Sequence, residues 1–377
     1  MSSFKVFLSP PDISDLEKSF VASALESGWA APAGPDLVAF ESEVAEVCHR
    51  QFGVAVSSGT AALHLALISL EVKPGDVIIC STLTFVATAN AISYVGGIPV
   101  FVDSEYDSGN MSPVLLEKSI RKVLDSGRKI AAVLPVDFLG KVANYGEILR
   151  ICRAHEIPVV ADAAESLGAQ HHGQPAGSFG EISIVSFNGN KIATTSGGGM
   201  LLTNDERLAQ KTRFLATQAR EPVQHYEHKE LGYNYRLSNI LASLGRAQIQ
   251  RLQSMIASRH AIRRAYEELF AGVDGVSIFG GDFSEDNCWL TAITVRNDLG
   301  WTTGDLSEFL AQREIESRNL WKPMHLQPLY KDCEAFLDGT AEDLFATGLA
   351  LPSGSNISKD QWDLVESAVQ DFLALQR

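Results

Sequence analysis

Short apolar runs that fail to alternate constrain this chain more than any other feature. Residues 54–56, 76–80, 98–102, 131–136, 158–161, 182–187 and 200–203 are mainly apolar, with apolar residues at consecutive positions instead of every second one. A strand wet on one face alternates, whereas a strand covered on both faces does not. Segments of helical period lie between the runs. Leu63, Leu67 and Leu70 fall at i, i+4 and i+7 after the first run, and 87–94 and 145–155 read as further helices. Strands interleaved with covering helices imply an α/β unit built on a mostly parallel sheet.

The pattern changes near residue 245. Residues 251–270 read as one long helix, with Leu252, Ile256, Ile262 and Leu269 on its apolar face and Arg259, Arg263 and Arg264 off it. A strand over 289–295, a helix over 305–313 and a closing helix over 359–375 follow. The expected organisation is a large domain over 1–245 and a smaller α+β domain over 246–377. That count suits 377 residues at about 150 per domain. No repeat or flexible linker separates the two, so they are expected to share a broad interface.

Composition narrows the function classes. Hydrophobic residues at 45% and charged residues at 20% support a real core, which excludes a disordered, collagenous or coiled-coil chain. Thirty-one basic against 46 acidic residues give a net charge of −15, a poor match for nucleic acid or an anionic membrane surface. A small anionic ligand would need a local site that opposes this field, with Arg236, Arg318 and Lys322 as cationic neighbours. The five cysteines, Cys48, Cys80, Cys152, Cys288 and Cys333, are dispersed and form no CxxC, so neither a zinc knuckle nor a disulfide framework is indicated. No metal site is expected, and a reducing cytoplasm is the expected compartment. Residues 1–11 lack a signal-peptide pattern, and no apolar stretch approaches the roughly 18 residues of a membrane span.

In an open α/β sheet, ligands bind beyond the carboxyl ends of the strands. Three places there could carry chemistry. Ser57-Ser58-Gly59-Thr60-Ala61 joins a strand to a helix, whose N-terminal N–H groups suit a phosphate, although Ser58 could equally be a plain N-cap. Asp162 ends a buried run, where an acid needs a cationic or hydrogen-bonding partner, and backbone amides would also serve. Lys191 follows Ser186-Phe187-Asn188-Gly189-Asn190 at the end of another buried run. A sheltered lysine can act as a Schiff-base nucleophile, while a lone lysine on a polar loop is ordinarily a surface residue. A phosphate cup, an acid for a ring nitrogen and an amine for an aldehyde are together what pyridoxal phosphate requires.

Six segments in order resemble the DegT/DnrJ/EryC1/StrS family of pyridoxal phosphate-dependent sugar aminotransferases. They are Ser58-Gly59-Thr60-Ala61-Ala62-Leu63, Thr84-Phe85-Val86-Ala87-Thr88-Ala89-Asn90, Asp162-Ala163-Ala164-Glu165-Ser166, Ser186-Phe187-Asn188-Gly189-Asn190-Lys191, Gly232-Tyr233-Asn234-Tyr235-Arg236-Leu237-Ser238 and Trp321-Lys322-Pro323-Met324-His325-Leu326-Gln327-Pro328. The resemblance runs from about Asp12 to the end of the chain. It implies a type I aminotransferase fold and a homodimer with shared active sites. By the same resemblance Lys191 holds the cofactor covalently and Asp162 pairs with its ring nitrogen. Phe85 would stack on the ring, Gly59, Thr60 and Ser186 would bind the phosphate, and Ser58, Glu165 and Asn188 would lie near the cofactor. Asn234 would reach that phosphate from the partner subunit. Arg236, Trp321 and His325 would line a nucleotide-sugar pocket, with L-glutamate as amino donor.

Gln218-Ala219-Arg220-Glu221-Pro222, His225-Tyr226 and the 321–325 stretch look closest to the bacillosamine-type branch, which aminates UDP-linked 4-keto-6-deoxy-N-acetyl sugars. One departure is Asn319, where the family's Arg-Pro-Leu-Trp sequence has proline. Related proteins that dehydrate sugars carry histidine in place of the lysine, which Lys191 argues against. A non-catalytic regulator would not need the lysine, acid and phosphate-cup residues together, and a dinucleotide dehydrogenase would need a GxGxxG that is missing here.

Overall fold

A computed structural model describes residues 4–376, so Met1–Ser3 of the segment read for a leader lie outside the described residues. Eight strands form the main sheet in the order Ala335–Phe336, Ile98–Val102, Val77–Ser81, Ile130–Leu134, Val160–Asp162, Ile182–Ser186, Gly199–Thr203 and Phe52–Val56. Two bridges, Val133–Val159 and Val136–Asp162, join its halves. Neighbouring strands are parallel except around Gly199–Thr203, which runs antiparallel to both neighbours. The expected α/β fold with a mostly parallel sheet is what the chain adopts.

Continuous apolar runs become strands covered on both faces, as their burial shows. Every residue of Val77–Ser81 and of Ile130–Leu134 is buried. The Gly59–Ser69 helix is enclosed as well, with Leu63, Leu65 and Leu67 each at 2% exposure or less.

The second unit holds a four-stranded antiparallel sheet in the order Val276–Ile278, Thr291–Val295, Gly348–Leu351 and Arg318–Asn319. Helices Thr303–Gln312 and Lys359–Leu375 pack on it, each opened by a reciprocal capping box at Thr302 or Ser358. The long helix runs Asn239–Leu269, unbroken across residue 245. Two excursions of the chain tie these elements together: Val6 bridges to Ile315, and Ala335–Phe336 joins the edge of the main sheet.

One detail of the long helix corrects the sequence reading. Arg259 and Arg263 were expected off the apolar face, yet they are 1% and 4% exposed. The Arg259 guanidinium reaches past the aliphatic face to donate to the carbonyls of Trp289 (2.6 Å) and Ser353 (2.8 Å). Arginine is hydrophobic along its stem and polar only at its tip, so helical period alone misplaces it.

Candidate active site

The carboxyl ends of four strands bring the chemistry together. Ser58, just beyond Phe52–Val56, caps the Gly59–Ser69 helix by accepting from the Ala61 N–H at 3.0 Å. That leaves the Gly59 and Thr60 N–H groups as the open donors of a first turn. Ser186 ends its own strand against this turn, since a Cβ on Gly59 would lie 3.1 Å from the Ser186 Cβ. Any side chain at Gly199 would collide with the Ser58 backbone, so the antiparallel strand approaches this closely only because that residue is glycine. The Asn188 N–H lies 3.4 Å from the Ser186 Oγ, and its Nδ2 donates to Asn190 Oδ1 at 2.9 Å. The first contact sets the Asn188 backbone beside Ser186, and the open donors of the Gly59–Thr60 turn can hold a phosphate.

Asp162 ends Val160–Asp162 and is 3% exposed. Thr88 Oγ1 donates to its Oδ2 at 2.8 Å, and the Ala164 N–H to its Oδ1 at 3.2 Å. Burial dominates nonetheless and pushes the carboxyl up to about 6. Thr84 Oγ1 lies 2.7 Å from Thr88 Oγ1, so the same hydroxyl pair ties Asp162 to the turn carrying Phe85. The Phe85 ring is 61% exposed, an apolar face open to a flat partner.

Lys191 faces this group. Its Nζ lies 3.3 Å from Glu165 Oε1 and 3.9 Å from the centroid of the Trp289 ring. The other Glu165 oxygen accepts the Leu139 N–H at 2.9 Å, in a turn where Leu139 adopts φ 54°. Asp137, on the adjoining strand end, donates its N–H to the Asp162 carbonyl at 3.0 Å. Its buried carboxyl, pushed up to about 7 by burial, accepts from Ser166 Oγ at 2.6 Å and from the Ala143 N–H at 2.9 Å.

Ser58, Gly59, Thr60 and Ser186 therefore lie together, as do Lys191 and Glu165, and as do Asp162 and the Phe85 turn. Five other expected residues lie in different surroundings. Asn234 is exposed and accepts from Gln218 Nε2 at 2.9 Å. Arg236 is buried on Glu41 (2.5 Å) and the Ala55 carbonyl (3.0 Å), and Arg318 holds Glu316 at 2.8 Å. Neither guanidinium is the free cation foreseen for a local anion site. Both His325 nitrogens are engaged, Nδ1 with Thr82 Oγ1 at 2.7 Å and Nε2 with Glu342 Oε1 at 3.2 Å. Trp321 keeps a buried indole N–H without a partner. It lines a cavity of about 420 Å³ with Phe7, Pro10, Asn190, Trp289 and Arg318.

Sequence reasoning passed over Thr88, Asp137 and Trp289 as site residues. Thr88 and Asp137 carried a signal, lying inside a quoted segment and just past a strand. Trp289 carried none beyond opening a strand.

An exposed aromatic face, a buried acid with no cation in hydrogen-bond contact, a sheltered amine and an open helix N-terminus fit pyridoxal phosphate group by group. Comparison with known proteins agrees. The chain matches the DegT/DnrJ/EryC1/StrS aminotransferase family over residues 11–370. It is 46% identical to EpsN of Bacillus subtilis, whose name describes a pyridoxal phosphate-dependent aminotransferase, over 95% of this chain and 93% of that one. It is 32% identical to GDP-perosamine synthase of Caulobacter vibrioides over 98% of each chain. The PLP-form of Spr1654 from Streptococcus pneumoniae superposes with a TM-score of 0.87 at 26% identity, covering 97% of this chain and 98% of that one. The chain belongs to the DegT/DnrJ/EryC1/StrS aminotransferase family and is a pyridoxal phosphate-dependent sugar aminotransferase.

Proposed function

We propose that this enzyme moves the amino group of L-glutamate to the keto carbon of a UDP-linked 4-keto-6-deoxy-N-acetylhexosamine, giving the 4-amino sugar. The observation that carries the reading is the sheltered Lys191 amine, 3.3 Å from Glu165, at the strand ends that also present Asp162 and the Ser58–Thr60 turn. When bound, pyridoxal phosphate supplies an aldehyde that condenses with amines and a ring that takes up negative charge.

The chain does the rest. Ser58, Gly59, Thr60, Ser186 and Asn188 bind the phosphate through hydroxyl, amide and helix-terminal donors. Asp162 would pair with the ring nitrogen and favour its protonated state. Phe85 covers one ring face. Lys191, once its amine is free, takes a proton from the donor's α-carbon and returns it elsewhere as general base and acid. Glu165 steadies that amine. Trp321 offers its unpartnered indole N–H to the sugar nucleotide, and His325, fixed by Thr82 and Glu342, shapes the pocket. Arg236 acts by holding the strand beside the phosphate turn.

Asn234 would complete the phosphate cup of a second subunit. Exposed Tyr94, Tyr226 and Leu231, at 57%, 78% and 72%, form apolar surface that a homodimer would cover. The five free thiols suit a reducing compartment, the cytoplasm. Among the described residues no helix is long and apolar enough to cross a membrane.

A panel of UDP-, GDP- and dTDP-linked keto sugars tests the substrate. Turnover of the UDP-4-keto-N-acetyl sugar supports this reading, while exclusive use of a dTDP-3-keto sugar refutes it. The likeness to GDP-perosamine synthase favours a GDP-linked 4-keto-6-deoxy sugar as the second reading. Lys191→Ala is expected to abolish transamination and the visible absorbance of the lysine-bound cofactor. Retained turnover in that variant would remove Lys191 from its role.

A further inference from the structure

We propose that Trp289 is a positioning residue for Lys191: its ring face cradles the free ε-amine while its indole N–H pins the carbonyl of the preceding residue, Asn190. The inference rests on Lys191 being the proton carrier. It adds a residue from the second unit to a site otherwise built at the main-sheet strand ends.

Every polar and aromatic feature of Trp289 is committed. The Lys191 Nζ stands 3.9 Å above its ring centroid. The indole Nε1 donates to the Asn190 carbonyl at 2.7 Å. Its backbone N–H is held by Asn287 Oδ1 at 2.8 Å, and the Asn287 Nδ2 donates to the Glu165 carbonyl at 2.9 Å. The two groups that touch the amine, Trp289 and Glu165, are thus linked through one asparagine.

A tryptophan serving only as core filling would not converge on one backbone oxygen with a second donor. Here Ser9 Oγ donates to the same Asn190 carbonyl at 2.9 Å. Arg259 in turn donates to both holders, reaching the Trp289 carbonyl at 2.6 Å and Ser9 Oγ at 3.2 Å. None of the ion pairs among the described residues involves Arg259, so this buried guanidinium is spent on orienting neutral partners. The result clamps the lysine turn from above while Glu165 meets the amine from the side. A free lysine side chain is flexible, and a face-on aromatic ring with a flanking carboxylate confines it to one position between proton transfers.

Two measurements test the proposal. The first is the acylation rate of the Lys191 amine in the cofactor-free protein, read by mass spectrometry against exposed Lys118. Trp289→Leu is expected to raise it about tenfold, the size of a lost, sheltered cation–π contact, whereas Trp289→Phe, which keeps a ring but loses the indole N–H, should label at a rate between the wild type and Trp289→Leu. The second is the half-reaction with α-deuterated glutamate. Trp289→Leu is expected to slow it and enlarge the isotope effect while leaving the donor KM unchanged, a split that a merely looser fold would not produce.

Wild-type labelling and a wild-type isotope effect in a folded, cofactor-bound Trp289→Leu protein would overturn the proposal. Should that variant not fold, Trp289→Phe combined with Ser9→Ala frees the Asn190 carbonyl of both donors. Its labelling should rise several-fold over Trp289→Phe alone, and no rise overturns the clamp. If the wild-type enzyme binds pyridoxal phosphate yet reacts with no amino donor, the transamination reading fails, while the labelling comparison still decides the cradle.

Discussion

Glu17 and Glu41, on the first two helices, are as deeply buried as Asp137 and Asp162 at the strand ends, but only the glutamates are met by arginines. Glu17 accepts from Arg251 at 2.8 Å and from Gln248 at 2.7 Å. Burial pushes its carboxyl up, yet Ser14 and Arg251 outweigh it and hold the group down to about 2. Glu41 takes Arg236, Arg213 and the Ala55 N–H. Asp162 and Asp137 receive only neutral donors, and burial lifts them to about 6 and about 7. A buried acid with its own arginine fastens one helix to another. Asp162, which has none and stands beside the phosphate turn and Lys191, can receive a cation from outside the chain.

That contrast can be broken at either end. Asp162→Ala should cost the most, lowering the glutamate half-reaction by about 10²–10³-fold, the scale of losing one preorganised electrostatic partner. Wild-type kinetics in this variant would dissolve the distinction. Glu17→Ala should leave half-reaction kinetics intact but lower unfolding free energy by about 2 kcal/mol, since it removes a buried carboxylate from a half-buried arginine and takes away a capping box. Denaturant midpoints measure this.

The pH dependence should separate the two sets further. A carboxyl raised in the folded state adds stability at low pH that is lost as pH climbs through its folded value. A depressed one adds stability that is lost only as pH falls toward about 2, as for Glu17. The Tm of the cofactor-free protein should therefore carry a falling component between pH 4 and about 7 from Asp137 and Asp162, and Asp137→Asn should flatten it. The smallest effect belongs to an exposed pair. Lys359 and Asp363 lie 2.9 Å apart in water on the last helix, and Lys359→Ala should leave the denaturant midpoint indistinguishable from that of the wild type.

What could be read from the sequence was whatever chemistry sits next to its own strand. Ser58, Asp162, Ser186 and Lys191 each lie within four residues of the end of an apolar run, so local pattern located them. Residues made important by distant neighbours were hidden. Arg236 looked like a cation for a ligand, and its partner Glu41 stands 195 positions away. Trp289 looked like the start of a strand, and the carbonyl it holds is 99 positions away. Strand direction was equally invisible: an apolar run such as 200–203 carries no sign of whether it will lie parallel or antiparallel. The first two helices, Asp15–Glu26 and Pro35–Val47, went unread because their inward faces mix acids with apolar residues.

The bridge between Val6 and Ile315 has a consequence for how the protein is made. Residue 6 leaves the ribosome well before Ile315 and must wait for its partner about 310 residues later, an interval of roughly 15–60 s at typical elongation rates. Ser9, which steadies the turn before Lys191, waits on Asn190 and Arg259 as well. The opening segment is thus a latch closed last, so a nascent chain can assemble most of its main sheet long before it can become an enzyme.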